Sequence, residues 1–282
     1  MGESKEQGLW LACTRGDLDT VRALANDPAV SVNWSGLEKE DTPLHRACRF
    51  GHLEIVKALL ALSTIEVNRG NEEMPVHSSI ACENGHKEVV SLLLADPRID
   101  PNRPENDQST PLWHASQRGH LVVVQHLLVS GREIDTKVIS TFNSKTAPEQ
   151  GREAGTADKE DNETEDNFQK RRTNGPLCAD LIDEYENDVV AVRNRLQRLP
   201  GLREYFTGHL FALVVFYSDS FAVINERSAR IDTRRFFKIV SRLPLEIQMI
   251  ICNQAFGSPR DTILSRDSEP GFKCLARATT WQ

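Results

Sequence analysis

Four stretches of the chain carry one pattern at a fixed interval, and that interval constrains the fold more than any other feature. "LACTRGDLDTVRALA", "RACRFGHLEIVKALL", "IACENGHKEVVSLLL" and "HASQRGHLVVVQHLL" each place Ala four residues before a Gly, Val five after it and Leu eight after it. The glycines are Gly16, Gly51, Gly85 and Gly119, at spacings of 35, 34 and 34. Asn33, Asn68 and Asn102 each stand 17 residues after the Gly of their unit. A unit of this length is one supersecondary piece that cannot bury its own apolar face, so the units must stack. Within a unit the pattern predicts a short helix, Gly as its stop, and a second helix. In the second unit that helix presents Ile55, Val56, Leu59 and Leu60, the width of a buried stripe. A polar turn then leads to the next unit.

These residues resemble the ankyrin repeat. "TPLHRA" at 42–47 fits the T-P-L-H-x-A signature, and "TPLWHA" at 110–115 fits except that Trp113 replaces His. The resemblance implies that Pro43 and Pro111 open the short helices. Thr caps them, His45 bonds across to the turn of the next unit, and small Ala lets helix pairs stack closely. Two units depart from the pattern. The first begins at "GLWLAC" without Thr-Pro, as a terminal unit should. The third reads "NEEMPVHSSIACENGH", with Pro75 two residues early relative to Ala81. The preserved Asn-to-Gly distance favours "HSSIAC" alone as its first helix. A weaker fifth copy, "KTAPEQGREAG" at 145–155, puts Gly155 36 residues after Gly119 but has Gly151 where Ala belongs.

Residues that look reactive fall on this framework. Cys13, Cys48 and Cys82 each follow the repeated Ala, where the fourth unit has Ser116. They read as small packed residues. Stacked repeats stand about 10 Å apart, too far to share a zinc ion. His52, His86 and His120 each follow the helix-stop Gly and read as structural, and His114 and His126 have no partner constellation. The chain contains no G-x-S-x-G, P-loop or HExxH. No catalytic residue, metal ligand or cofactor is therefore expected, and the chain reads as a non-enzyme.

What the resemblance implies instead is a protein partner on a concave face of turn tips and short-helix positions. The partner-binding candidates are Trp34, Arg46, Arg49, Phe50, Arg69, Glu83, Trp113, Gln117 and Arg118, because aromatic and Arg side chains are enriched at binding hot spots. The alternative for Phe50 and Trp113 is packing between units.

Beyond the repeats the composition changes. Between Glu153 and Asp166 there are seven acids and one Lys, so residues 156–175 are expected as a mobile acidic linker. "QKRR" at 169–172 is a weak nuclear-import patch. Pro176 is expected to open a helix with Leu177, Leu181, Ile182 and Tyr185 on one side. Asp188 can cap another, and "LREYFTGHLFALVVFYSDSFAVI" reads as the buried helix of a C-terminal helical domain over 176–282. Leu243, Pro244, Leu245 and Glu246, followed by Ile247, Ile250 and Ile251, resemble the opening of an F-box. That resemblance implies adaptor binding through Leu243, Pro244, Leu245 and Ile247, with the repeats choosing a substrate for a ubiquitin ligase. The later F-box segment is not recognisable.

Charge divides in the same way. From Lys170 to Gln282 there are 17 Lys and Arg against 13 acids, and before Lys170 there are 17 against 28. The basic excess is too small to argue for nucleic acid. No apolar run is long enough for a membrane span, and the start shows no secretory signal. The six cysteines are then expected as thiols in a reducing compartment, the cytoplasm with the nucleus as alternative. The expectation is an all-α, monomeric chain. It comprises a tail (1–7), an ankyrin solenoid over 8–155 with units near 8–34, 41–68, 74–102, 109–137 and a partial 145–155, the linker, and the helical domain.

Overall fold

Each unit of the repeat folds into a helix pair in a computed structural model of the chain, described over residues 4–35, 41–70, 77–218, 240 and 248–252. The short helices are α1 (Lys5–Arg15), α3 (Pro43–Phe50), α5 (His77–Glu83) and α7 (Pro111–Gln117). Their partners are α2 (Leu18–Ala25), α4 (Leu53–Leu60), α6 (Lys87–Leu94) and α8 (Leu121–Val129). Then follow α9 (Ala147–Thr156), α10 (Glu165–Asn187), α11 (Val189–Leu196) and α12 (Leu202–Ser218). No strand occurs among the described residues, where a lone bridge joins Ser140 to Lys145.

Two files of helices result. α1, α3, α5, α7 and α9 pack in succession, and beside them α2, α4, α6, α8 and α10 do the same. The apolar stripes meet between the files. Ile55, Val56, Leu59 and Leu60 are buried, as are Val89, Val90, Leu93 and Leu94, and Val123, Val124, Leu127 and Leu128. At roughly 25 cal/mol per Å² of apolar surface, this stacking supplies the main drive for folding.

Polar ladders join successive units. The His52 ring N–H donates to Thr14 O (3.2 Å), His86 to Arg49 O (2.9 Å) and His120 to Glu83 O (2.9 Å). In the turns, Asn33 donates to Thr64 O (2.8 Å) and accepts from Glu66 N–H (3.0 Å), and Asn102 does the same with Glu133 and Asp135. Each framework side chain thus satisfies a backbone group of the neighbouring unit. Thr42 caps α3, and His45 Nδ1 accepts from Thr42 N–H (3.1 Å) in a capping box, its ring stacked 3.9 Å from His77. α5 is described from His77, and Pro75 lies outside the described residues. Cys13, Cys48 and Cys82 have 0% exposure, and burial pushes the Cys13 thiol up to about 12.

The fifth unit is more than a half-repeat. Thr146 forms a capping box with Glu149, α9 stacks on α7, and α10 takes the second-helix place against α8. The expected linker over 156–175 is corrected in its second half. α10 starts at Glu165, capped by Thr164, and runs through Pro176. Arg171 holds it there. It is 3% exposed, pairs with Glu163 (2.8 Å), and donates to Ala154 O (3.0 Å) and Asp158 O (2.9 Å). The Arg171 guanidinium holds the Glu163 carboxyl below its usual range. "QKRR" is therefore not an open basic run, since its third residue is interior. Leu181, Ile182 and Tyr185 are buried as expected, but Leu177 is 46% exposed and Cys178 takes the inner position.

The chain divides into two compact units, at Val189 rather than at residue 176. In the second unit Phe211 and Val214 of α12 pack with Val240 and Cys252. No described helix is long and apolar enough to cross a membrane.

Candidate functional site

Of the positions that the repeat leaves unspecified, those of α1 and α3 form one cluster. Leu11 and Arg46 share a register, as do Thr14 and Arg49, and Arg15 and Phe50. The Arg46 guanidinium lies 4.3 Å from the Trp10 ring centroid and 5.1 Å from that of Phe50. A guanidinium at these distances from ring faces gains about 0.5–1 kcal/mol at exposed sites and more when desolvated. Its Nε donates to Thr14 Oγ1 (3.1 Å) and its Nη1 to Asp41 Oδ2 (3.2 Å). Asp41 itself is fully buried, and its carbonyl accepts from Trp10 Nε1 (2.8 Å). Arg49 Nε lies 3.4 Å from the same Asp41 oxygen, too poorly aligned to be a hydrogen bond. Phe50 remains 45% exposed. One buried carboxylate therefore hydrogen-bonds Arg46 and ion-pairs with Arg49, and the three-layer stack of Trp10, Arg46 and Phe50 leaves an apolar ring on the surface.

The remaining candidates lie elsewhere. Arg118 ion-pairs with Glu83 (3.1 Å) and with Glu160 (3.0 Å) of the segment between α9 and α10. Those two candidates are thus joined to each other, and the acidic segment lies on them. Gln117 ends α7 and is half-buried. Trp113 is corrected. It is 3% exposed with its ring edge-on to His114 (centroids 5.2 Å apart), because it fills the interior slot two periods after His45. Arg69 binds within the turns, donating to Asn33 O (2.6 Å), and Trp34 is half-buried in the turn after α2. Leu243, Pro244, Leu245 and Ile247 lie outside the described residues, and only residues 248–252 after them are seen, as helix.

Sequence reasoning missed Trp10, Asp41, Glu160 and the turn between α8 and α9. In that turn Ile139 is 57% and Phe142 73% exposed, while Thr141 N–H and Ser140 Oγ donate to Asp107 O. Trp10 stood in view within "GLWLAC". Phe142 is the tip that the fifth copy would have supplied.

Comparison with known families agrees with the helix pairs. A family model described as Ankyrin repeats (3 copies) matches residues 2–71 and 63–138. A search of curated proteins found no match. Spacing, helix pairs, inter-repeat ladders and family match agree on one conclusion: residues 2–138 belong to the ankyrin repeat family.

Proposed function

We propose that the chain is a non-catalytic scaffold that binds a partner protein on the concave face of its ankyrin repeats. Ankyrin repeats generally mediate protein–protein interaction. The observation that carries the finer reading is the Trp10–Arg46–Phe50 stack. It exposes a large apolar ring where the repeat framework requires nothing, and a buried carboxylate holds Arg46 in place. Such pre-ordered aromatic and Arg groups lower the entropic cost of association and are the groups that dominate interface energetics.

The test is affinity capture with the full chain and three variants, read by mass spectrometry. Phe50→Ser and Arg49→Glu change the concave face, whereas Lys57→Gln changes α4, where Lys57 pairs with Glu54 of its own helix. A protein captured by the native chain and by Lys57→Gln, but lost from the other two, supports the reading. Capture that ignores all three substitutions overturns it.

A further inference from the structure

The concave face is not evenly charged among the described residues. At its first two units Arg46 and Arg49 share the single carboxylate of Asp41, which is buried beneath them. Arg49 makes no better bond than its 3.4 Å approach, and its side chain is 26% exposed. Arg15, one period before Phe50, is exposed and meets no acid among the described residues. Among the described residues, three guanidiniums therefore stand against one acid. Further along the face the balance is reversed, with Arg118 held between Glu83 and Glu160. Arg118 is two periods on from Phe50. The chain thus already lays one acidic segment of its own on this face, through a carboxylate on an arginine.

We infer that the face over the first two repeats takes an acidic peptide segment, with a carboxylate on Arg49 and Arg46 and an apolar or aromatic side chain against Phe50. The inference rests on the concave-face reading and names the chemistry of its partner. The fit follows from geometry. Guanidinium forks match carboxylates in a bidentate way; Asp41, Thr14 and the two rings already order Arg46, and Arg49 lies beside it with only a long ion pair to Asp41. The Phe50 ring lies beside them, so an acid next to a large apolar residue satisfies both at once. A basic segment would instead meet Arg15 and the two guanidiniums that share one carboxylate.

Panning random phage-displayed peptides of about a dozen residues on the full chain at low salt tests this. The expected peptides carry Asp or Glu next to an aromatic or large aliphatic residue. A synthetic copy of the best of them should bind about tenfold or more weakly to Arg49→Gln and to Phe50→Ser. Its affinity should fall as salt is raised toward physiological strength. Binding to Lys57→Gln should be unchanged. Thermal melts establish that the variants fold. If Arg49→Gln does not, Phe50→Ser and the salt dependence decide. Neutral or basic peptides that still need Phe50 overturn the acidic inference and leave the concave face standing. Peptides indifferent to Phe50 and Arg49 overturn both. No enrichment at all overturns the acidic inference.

Discussion

The helix stop at Gly51 joins two requirements in one residue. Its φ of 71° lies in the left-handed region, which costs a side chain-bearing residue free energy and a β-branched one most. A Cβ there would also stand 2.6 Å from His86 Nδ1, on the ring whose other nitrogen donates to Arg49 O. Gly51→Val should therefore destabilise the repeat stack by at least about 2 kcal/mol, from backbone strain and a displaced ladder histidine together. Chemical denaturation checks this, and a midpoint within error of the native chain would refute it. Residues of this kind were legible because they recur. Gly, His and Asn at one period need the same job done by the same group, so each copy explains the others. Trp10 and Asp41 occur once. Nothing in "GLWLAC" or "EDTPLH" says that the indole will lie under an arginine or that the carboxylate will be fully buried. Those facts arise only when α1 and α3 come together. Trp113 failed in the opposite sense, since its aromatic character pointed to a hot spot while its slot pointed inward.

At the scale of elements, the close of the stack is a crossing of two glycine-bearing helices. A Cβ on Gly151 would stand 2.7 Å from Gly175 O, and one on Gly155 would stand 2.5 Å from Pro176 Cγ. The Gly that replaces Ala in the fifth copy is thus the means by which α10 approaches α9. It also explains a proline inside a helix. Pro176 cannot donate to the carbonyl four residues back, and the docked α9 holds the helix through that gap. Gly151→Leu should separate the two helices. Overpacking of this kind costs about 1–3 kcal/mol. Hydrogen exchange should then quicken over residues 165–187 while α3 to α6 stay protected. Equal protection of α10 in both proteins would rule out the crossing as its anchor. Composition could not reveal this helix. Its first half is polar, with Phe168 its one large apolar side chain, which by itself predicts no ordered structure. Its order comes from Arg171, interior and bonded to Glu163, Ala154 and Asp158, and from small residues whose value depends on what lies opposite. Outer helices α4, α6 and α8 were legible because their stripes are strong; α10 is a tertiary product.

Across the whole repeat stack, imidazoles lie in the joints, and acid should open it. Burial holds His77 well below the usual histidine range, assisted by the nearby charges of His45, Arg69 and Arg103 and opposed by its bond to Val67 O. Burial also lowers His120, against its bond to Glu83 O, and brings His126 down to about 4 beside Lys87. A histidine whose folded pKa lies below its unfolded value near 6.5 binds fewer protons folded than unfolded. Its contribution is whole above that value and is lost as pH falls toward the folded one. The carboxylates that are lowered in the fold, Asp17, Asp27 and Glu163 among them, lose theirs only further down, below the ordinary carboxylate range. Between about pH 6.5 and 4.5 the imidazoles therefore act alone. The melting temperature should be level from pH 8 to 7 and fall steadily through that window. His126→Gln keeps a group that can bond Ser91 Oγ, 2.6 Å from the native ring, and removes one titration, so its slope should be shallower than the native one. A native melting temperature that stays level from pH 7 to 5 would show that the buried rings do not couple protonation to unfolding. An unchanged slope in His126→Gln would move the coupling to the His77 joint between the second and third units, where two rings are stacked and one added charge acts on both.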